Sequence, residues 1–213
     1  MDNLAKAIAD GGFWMIIILL TSIVGLGVII ERFIFLFFKY NINAGAFMAQ
    51  IQKLVMANSI DKAIKLCNAA PTAALARVIK AGLTRANKGT EEIQNAVEEA
   101  TLEVIPYVQK RTNALLAIAN IATLMGLLGT IIGMIQAFQA MANAAPDKRQ
   151  SELGKAIALA MNTTAFGLIV AIPCMIFHLV LSGVTKKIID EIDLYAVKLE
   201  NLLISRHSSG GDR

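Results

Sequence analysis

The sequence predicts an all-α integral membrane protein with three transmembrane helices. Three observations lead there. Mean hydropathy is +0.59, and 56% of the 213 residues are hydrophobic while 17% are charged, too apolar for a soluble domain of this length. The charges are also segregated, leaving uncharged windows at 11–30 (resuming at 33–38 after Glu31 and Arg32), 112–146 and 156–185. Each window supplies the roughly 20 residues that a helix needs to cross a hydrocarbon core.

The first window follows Asp2, Lys6 and Asp10. A cleaved leader starts with a basic segment and a shorter apolar run, so this window reads as a retained span that anchors the chain in lipid. Trp14 is placed as an interfacial anchor at one end of it, and Glu31 and Arg32 as a snorkelling pair at the other. Four of the 20 Lys and Arg residues (Lys6, Lys148, Arg149 and Lys155) fall on one side of the three spans, and the remaining 16 on the other. The positive-inside rule then puts the N-terminus outside and the C-terminus in the cytoplasm. The implied organisation is an outer segment 1–12, span 13–38, a cytoplasmic helical region 39–112, span 113–141, an outer loop 142–155, span 156–182, and a cytoplasmic helix with a disordered tail over 183–213.

The cytoplasmic region has helical periodicity. Ser59 caps a short helix ending at Ala69, Pro71 breaks it, and 72–86 forms an amphipathic segment ending near Asn87 and Gly89. Thr90 provides an N-cap hydroxyl, followed by Glu91 and Glu92 at the positive end of the dipole. Ile93, Val97, Ala100, Val104 and Val108 then recur every three or four residues without a stop signal, predicting one continuous helix through Met141, bent at Pro106. At 1.5 Å per residue that helix is about 78 Å long and reaches some 40 Å beyond a bilayer of about 30 Å. Ile188, Ile192, Tyr195, Leu199 and Leu202 extend the third span in the same way.

Small residues draw a stripe down each of the last two spans: Ala119, Ala122, Gly126, Gly129, Gly133, Ala137 and Ala140 in the second, and Ala156, Ala160, Thr163, Gly167, Ala171, Cys174 and Ser182 in the third. In lipid such stripes permit close backbone approach between helices. Beside them lie Asn113, Asn120, Thr123 and Thr130 in the second span and Asn162, Thr163 and Thr164 in the third. For each, interhelical bonding or a hydroxyl turned back on its own helix is one explanation and a functional role the other. Asn113, Asn120 and Thr130, seven and ten residues apart, read as one polar side that must face protein or water. Neither span has Asp, Glu, Lys or Arg in its core. A channel built from this chain therefore needs its ion-binding carboxylate from another polypeptide. His178 reads as a hydrogen-bonded interfacial residue, and Pro173 as a kink.

Several function classes are disfavoured. No aromatic-basic interleaving supports nucleic-acid binding. Cys67 and Cys174 lie in different regions without His or Cys neighbours at ligand spacing, so both read as reduced and structural, and no metal is predicted. No nucleophile, base and orienting group converge, so the chain is not read as an enzyme and no cofactor is expected.

Two runs carry a family resemblance. Gly126-Leu127-Leu128-Gly129-Thr130-Ile131-Ile132-Gly133-Met134 with Ala137-Phe138, and Asn162-Thr163-Thr164-Ala165-Phe166-Gly167-Leu168-Ile169-Val170-Ala171-Ile172-Pro173, resemble the second- and third-span signatures of the MotA/TolQ/ExbB proton-channel family. Ile30-Glu31-Arg32 and the stretch from Pro71 to Leu83 fit as well, and the size favours the ExbB/TolQ branch. The resemblance implies a homopentamer in a bacterial inner membrane around a dimer of a single-span ExbD/TolR-type partner, whose transmembrane Asp binds the ion beside Thr130 and Thr164. Asn120, Thr123, Asn162 and Thr163 join them as pore-lining candidates, and ion flow drives mechanical work across the periplasm. The chain departs from the pattern at Leu159, where ExbB-like members often carry Glu, and at Thr123, where Pro is common. The extra hydroxyl leaves proton and sodium coupling both open. The alternative is a structural membrane scaffold without ion conduction.

Overall fold

The computed structural model describes residues 12–40, 42–143 and 145–210. The segment read as an outer N-terminal tail lies, up to residue 11, outside the described residues, as do the last three residues. The described residues form helices α1 (Gly12–Ile34), continued by a π-helical turn Phe35–Tyr40, α2 (Ala44–Met56), α3 (Ile60–Ala69), α4 (Ala74–Thr84), α5 (Thr90–Gln109), α6 (Thr112–Asn143) and α7 (Arg149–Gly210). No strand occurs among them. Three helical stretches, Phe13–Phe38, Thr90–Asn143 and Arg149–Arg206, are long and apolar enough to cross a membrane, so the all-α membrane class read from hydropathy is the observed one.

The chain forms two compact units. The first comprises the residues up to Glu31 together with Arg111–Val180. Its interior is made of Met15, Ile18 and Ile29 from α1, Leu115, Ala119, Ala122 and Ala137 from α6, and Ala160, Ala171 and Cys174 from α7. Leu19, Leu20, Ile23, Val24 and Leu26 on the other faces of α1 are exposed, as a lipid anchor requires. The helix also has an inward face: a Cβ on Gly25 would lie 3.0 Å from Cys174 Sγ and 3.4 Å from a methyl of Ile118. The first span is thus packed against both other spans.

The second unit comprises Arg32–Lys110 and the chain from Leu181 onward. Asn43 caps α2, its side-chain oxygen accepting from the Ala46 amide at 3.1 Å. Ser59 stands at the N-cap of α3 as expected, although its side chain makes no capping bond. Ile93, Val97, Val104 and Val108 of α5 and Ile188, Ile192 and Leu199 of α7 are buried where the stripes put them, whereas Ala100, Tyr195 and Leu202 are only half-buried and Ala196 and Leu203 take the inner places beside the latter two. Gly82 of α4 lets Val97 and Leu199 close over it: an added Cβ would sit 2.8 Å from a methyl of each. Exposed pairs such as Arg77–Glu103 at 2.8 Å and Lys88–Glu92 at 2.9 Å line the outer faces, where such pairs contribute little individually. Cys67 is 2% exposed, and burial pushes its thiol up to about 11, against a weaker opposing pull from Lys80. At pH 8 a thiolate fraction on the order of one in a thousand remains. Cys67 is therefore expected to resist alkylation in the folded protein and to react once the unit is unfolded in denaturant; comparable labelling rates in the two states would contradict this burial.

Three details differ from the sequence reading. The helix expected to run unbroken from Thr90 is interrupted: Lys110 is extended at φ −48°, ψ 133°, and Arg111 adopts φ 60°. A positive φ is unusual for a residue with a Cβ and stops the helical ladder. No Gly marks the place, and the compensating contact is distant in sequence: the Arg111 guanidinium pairs with the Glu31 carboxylate. Glu31, one of the two residues read as snorkelling, is engaged in this way. Arg32 is buried, with a guanidinium nitrogen donating to the Tyr107 carbonyl at 3.5 Å. That carbonyl lies in the last turn of α5, where acceptors lack helical partners. The N-cap of α5 is Gly89, with Thr90 already helical. Finally, α7 begins at Arg149 and continues to Gly210, so helix occupies much of the expected outer loop and the first residues of the expected tail. Ion pairs Glu152–Lys155 at 3.0 Å and Lys187–Glu191 at 3.8 Å accompany its charged stretches.

Candidate functional site

The seam between α6 and α7 in the first unit follows from the small residues. Gly126 faces Gly167 so closely that an added Cβ on Gly167 would stand 2.7 Å from the Ala122 carbonyl oxygen and 3.0 Å from Gly126 Cα. A Cβ on Gly126 would meet Thr163 O at 3.1 Å, and the Cα atoms of Thr164 and Gly167 at 3.2 Å. Gly129 abuts the Thr163 hydroxyl and Gly133 abuts Ala160, each at 2.7 Å by the same measure. Ala171 is buried further along. Of the small residues in the two stripes, Gly126, Gly129, Gly133 and Gly167 thus make the close helix–helix contacts, with Ala171 buried beyond them.

Close backbone approach brings side-chain hydroxyls of one helix onto carbonyls of the other. Thr164 Oγ1 donates to Gly126 O across the seam at 3.0 Å. Thr163, buried, donates to Ala160 O at 2.7 Å and lies 3.5 Å from Gly126 O. Thr130 Oγ1 is 3.2 Å from Gly126 O in its own helix and 3.3 Å from Ala160 O in the other. The Thr130 and Thr164 hydroxyls are hydrogen-bonded to each other, either one serving as donor. Three hydroxyls and two carbonyls thus form one cluster without a charged group. Only three protons are available to satisfy its many oxygen lone pairs. Such a cluster can donate to a carboxylate or accept from a protonated species, but it has no charge of its own with which to draw an ion from water.

The other candidates lie elsewhere. Asn113, Asn120 and Asn162 are exposed on the single chain. Ten residues at 100° fall about 80° short of three turns, so Thr130 turns into the seam while Asn113 and Asn120 remain outside, splitting the expected polar side. Thr123 follows the self-satisfied reading, its hydroxyl donating to Ala119 O at 3.0 Å. Leu159 is exposed beside the seam residue Ala160. Pro173 lies inside α7, which continues through it although the imide cannot donate to Ile169. His178 is hydrogen-bonded as expected, Nδ1 to Thr112 O at 3.0 Å. Trp14 packs edge-on against Phe13 at 5.6 Å. The Gly126 and Ala160 carbonyls were invisible to sequence reading, because a main-chain acceptor has no residue type. The glycine at 126 and alanine at 160 were the available signals.

The helices and this seam define a membrane protein of the transport kind, in which packed spans surround uncharged polar chemistry. Residues 70–194, more than half of the chain, match the MotA/TolQ/ExbB proton channel family, and the chain belongs to that family. Among similar proteins, an ExbB-like biopolymer transport protein of Synechocystis sp. is 27% identical over 168 residues, covering 78% of this chain and 79% of its own length. An ExbB homologue of Methanothermobacter thermautotrophicus is 30% identical over 120 residues, covering 56% of this chain and 40% of the relative. The family is one of channels and transport proteins, and the general role is coupling to an ion-motive force.

Proposed function

We propose that this chain is the ion-conducting subunit of an inner-membrane motor that couples a proton or sodium gradient to mechanical work across the cell envelope. In this reading the N-terminus is periplasmic and the C-terminus cytoplasmic. A homopentamer surrounds a dimer of a single-span ExbD/TolR-type protein. Thr130 and Thr164 line the route beside that partner's transmembrane Asp, with Thr163 behind them and Asn120 and Asn162 facing neighbouring chains or water; Thr123 is the weakest candidate. The observation that carries the reading is the Thr130–Thr164 hydroxyl contact, set among main-chain acceptors in spans without a carboxylate. A neutral cluster of this kind complements a carboxylic acid whose charge changes as it takes up and releases an ion. Exposure of Leu124, Leu127, Ile131, Ile135 and Phe138 along α6 supports further helices or lipid against that face.

The test is purification of the intact complex from native membranes, followed by reconstitution into vesicles under an imposed proton or sodium gradient. The expected result is co-purification of a short single-span protein bearing a membrane carboxylate, and ion flux that requires both chains. A complex without such a protein and without flux would leave the scaffold reading, in which the seams serve packing alone.

A further inference from the structure

A polar cavity of about 440 Å³ lies in the second unit, between the start of α2 and the charged stretch of α7. Its walls are Ile42, Asn43, Ala44, Gly45, Lys187 and Glu191, and its volume falls within the roughly 300–1,000 Å³ of small-molecule sites. Sequence position sets its depth. Ile42 stands four residues beyond Phe38, the end of the first apolar run, and Lys187 two residues beyond Thr185, the end of the third uncharged window. Both walls thus begin where a span leaves hydrocarbon, which is the level of lipid headgroups. Phe33 and Phe37 stack at 4.7 Å. Together with Phe38 they are exposed on the turns that lead toward the cavity wall, an aromatic surface of the kind that settles at that boundary.

Charge defines what fits inside. Lys187 and Glu191 are one turn apart on α7, with the lysine Nζ 3.8 Å from the carboxylate. A charge-assisted hydrogen bond closes to about 2.7–2.9 Å, so neither group saturates the other and each keeps bonding capacity for a third party. An anion entering the cavity is drawn by Lys187 and repelled by Glu191, and a cation meets the reverse; a zwitterion satisfies both. The cap of α2 is already filled, the Asn43 side chain accepting from the Ala46 amide at 3.1 Å, so the charges that select a ligand come from α7. Gly45 leaves its part of the wall without a side chain, and a Cβ there would lie 3.4 Å from the Tyr195 hydroxyl. Lys187, Glu191 and Tyr195, spaced by four, share one face of α7.

We propose that this cavity binds the phosphoethanolamine headgroup of an aminophospholipid, its ammonium on the Glu191 carboxylate and its phosphodiester on Lys187. The Tyr195 hydroxyl borders the site, and the acyl chains enter the leaflet on the side of the C-terminus. The occupant is a lipid rather than a free headgroup because both walls issue directly from membrane spans. The site goes beyond the ion-conducting reading and does not depend on it, since lipid binding is measured without any gradient.

The test uses the full chain reconstituted into phosphatidylcholine vesicles with a trace of phosphatidylethanolamine that carries a photoreactive group on one acyl chain, close to the glycerol. Illumination and peptide mapping are expected to place the label within residues 33–46 and 183–198. Unlabelled phosphatidylethanolamine is expected to suppress it, and equal amounts of phosphatidylglycerol or further phosphatidylcholine to do so at least about fivefold less. Phosphatidylglycerol lacks the cation, and the quaternary ammonium of phosphatidylcholine has no N–H to donate to Glu191. Glu191→Gln, nearly isosteric, is expected to lower labelling about tenfold, and Lys187→Gln to do the same. Lys62→Gln, at an exposed lysine of α3 outside the cavity, is expected to change nothing. Equal competition by the three lipids, a preference for phosphatidylglycerol, or native labelling in either cavity variant overturns the site and leaves ordinary boundary lipid. Suppression by soluble glycerophosphoethanolamine at the same concentration overturns the lipid as occupant. Should Glu191→Gln fail to fold, Lys187→Gln, whose side chain is 68% exposed, decides alone.

Discussion

Replacing Thr164 by Val is expected to lower ion flux by about a hundredfold while the protein still folds and assembles, and Thr130→Val is expected to do the same. Valine keeps the shape of threonine and removes only the hydroxyl. In Thr164 that hydroxyl bonds Gly126 O at 3.0 Å and also Thr130 Oγ1. Interhelical hydrogen bonds of this kind are worth about 0.6 kcal/mol to folding in membranes, so each variant remains assembled. The effect on transport is larger, because a preorganised donor beside a group that changes charge typically acts on a scale of about a hundredfold or more. Flux in reconstituted vesicles, alongside the size of the purified complex, separates the two quantities. Native flux in both variants would remove the cluster from the ion route and leave it as packing.

The second large effect concerns stability. Gly167→Ala places a Cβ 2.7 Å from the Ala122 carbonyl oxygen and 3.0 Å from Gly126 Cα. Both are main-chain atoms that cannot rotate aside, so the helices must separate. Overpacking of this sort costs about 1–3 kcal/mol, and separation also lengthens the Thr164–Gly126 bond. A clear fall in Tm in detergent is expected, together with reduced flux. Gly27 provides the control, since nothing lies within 4 Å of a Cβ added there; Gly27→Ala is expected to leave Tm unchanged or raise it slightly through helix propensity. Equal melting behaviour of the two variants would mean that the seam is looser than described.

The contrast between these glycines shows what the sequence could and could not reveal. Hydropathy windows gave the membrane class, and spacing by three and four gave the seam, because both depend on residue type and helical period. Ala119, Ala122, Gly126 and Gly129 are buried where the period puts them. Gly25 belongs to no stripe, and its contact with Cys174 could be seen only once α1 was placed. The break at Arg111 was illegible for a related reason. Local propensity favours continuing the helix, and the contact that accompanies the positive φ comes from Glu31, 80 residues away. Thr130 and Asn120 show the limit of angular arithmetic: a step of ten residues is loose enough to separate a seam residue from an exposed one.

The Gly126 carbonyl lies within hydrogen-bonding reach of the hydroxyls of Thr130, Thr163 and Thr164, although these cannot all donate to it equally well at once. The proton arrangement is therefore degenerate: each hydroxyl has an alternative acceptor close by, Ala160 O for Thr130 and Thr163 and the neighbouring threonine for Thr164. Rotation about three C–O bonds is enough to turn the cluster from one that offers protons into one that offers lone pairs, with no heavy atom displaced. On the proposed ion-conducting reading, a wall built this way reverses its polarity far faster than any helix can move, and so follows the charge of a passing ion in both directions of transport.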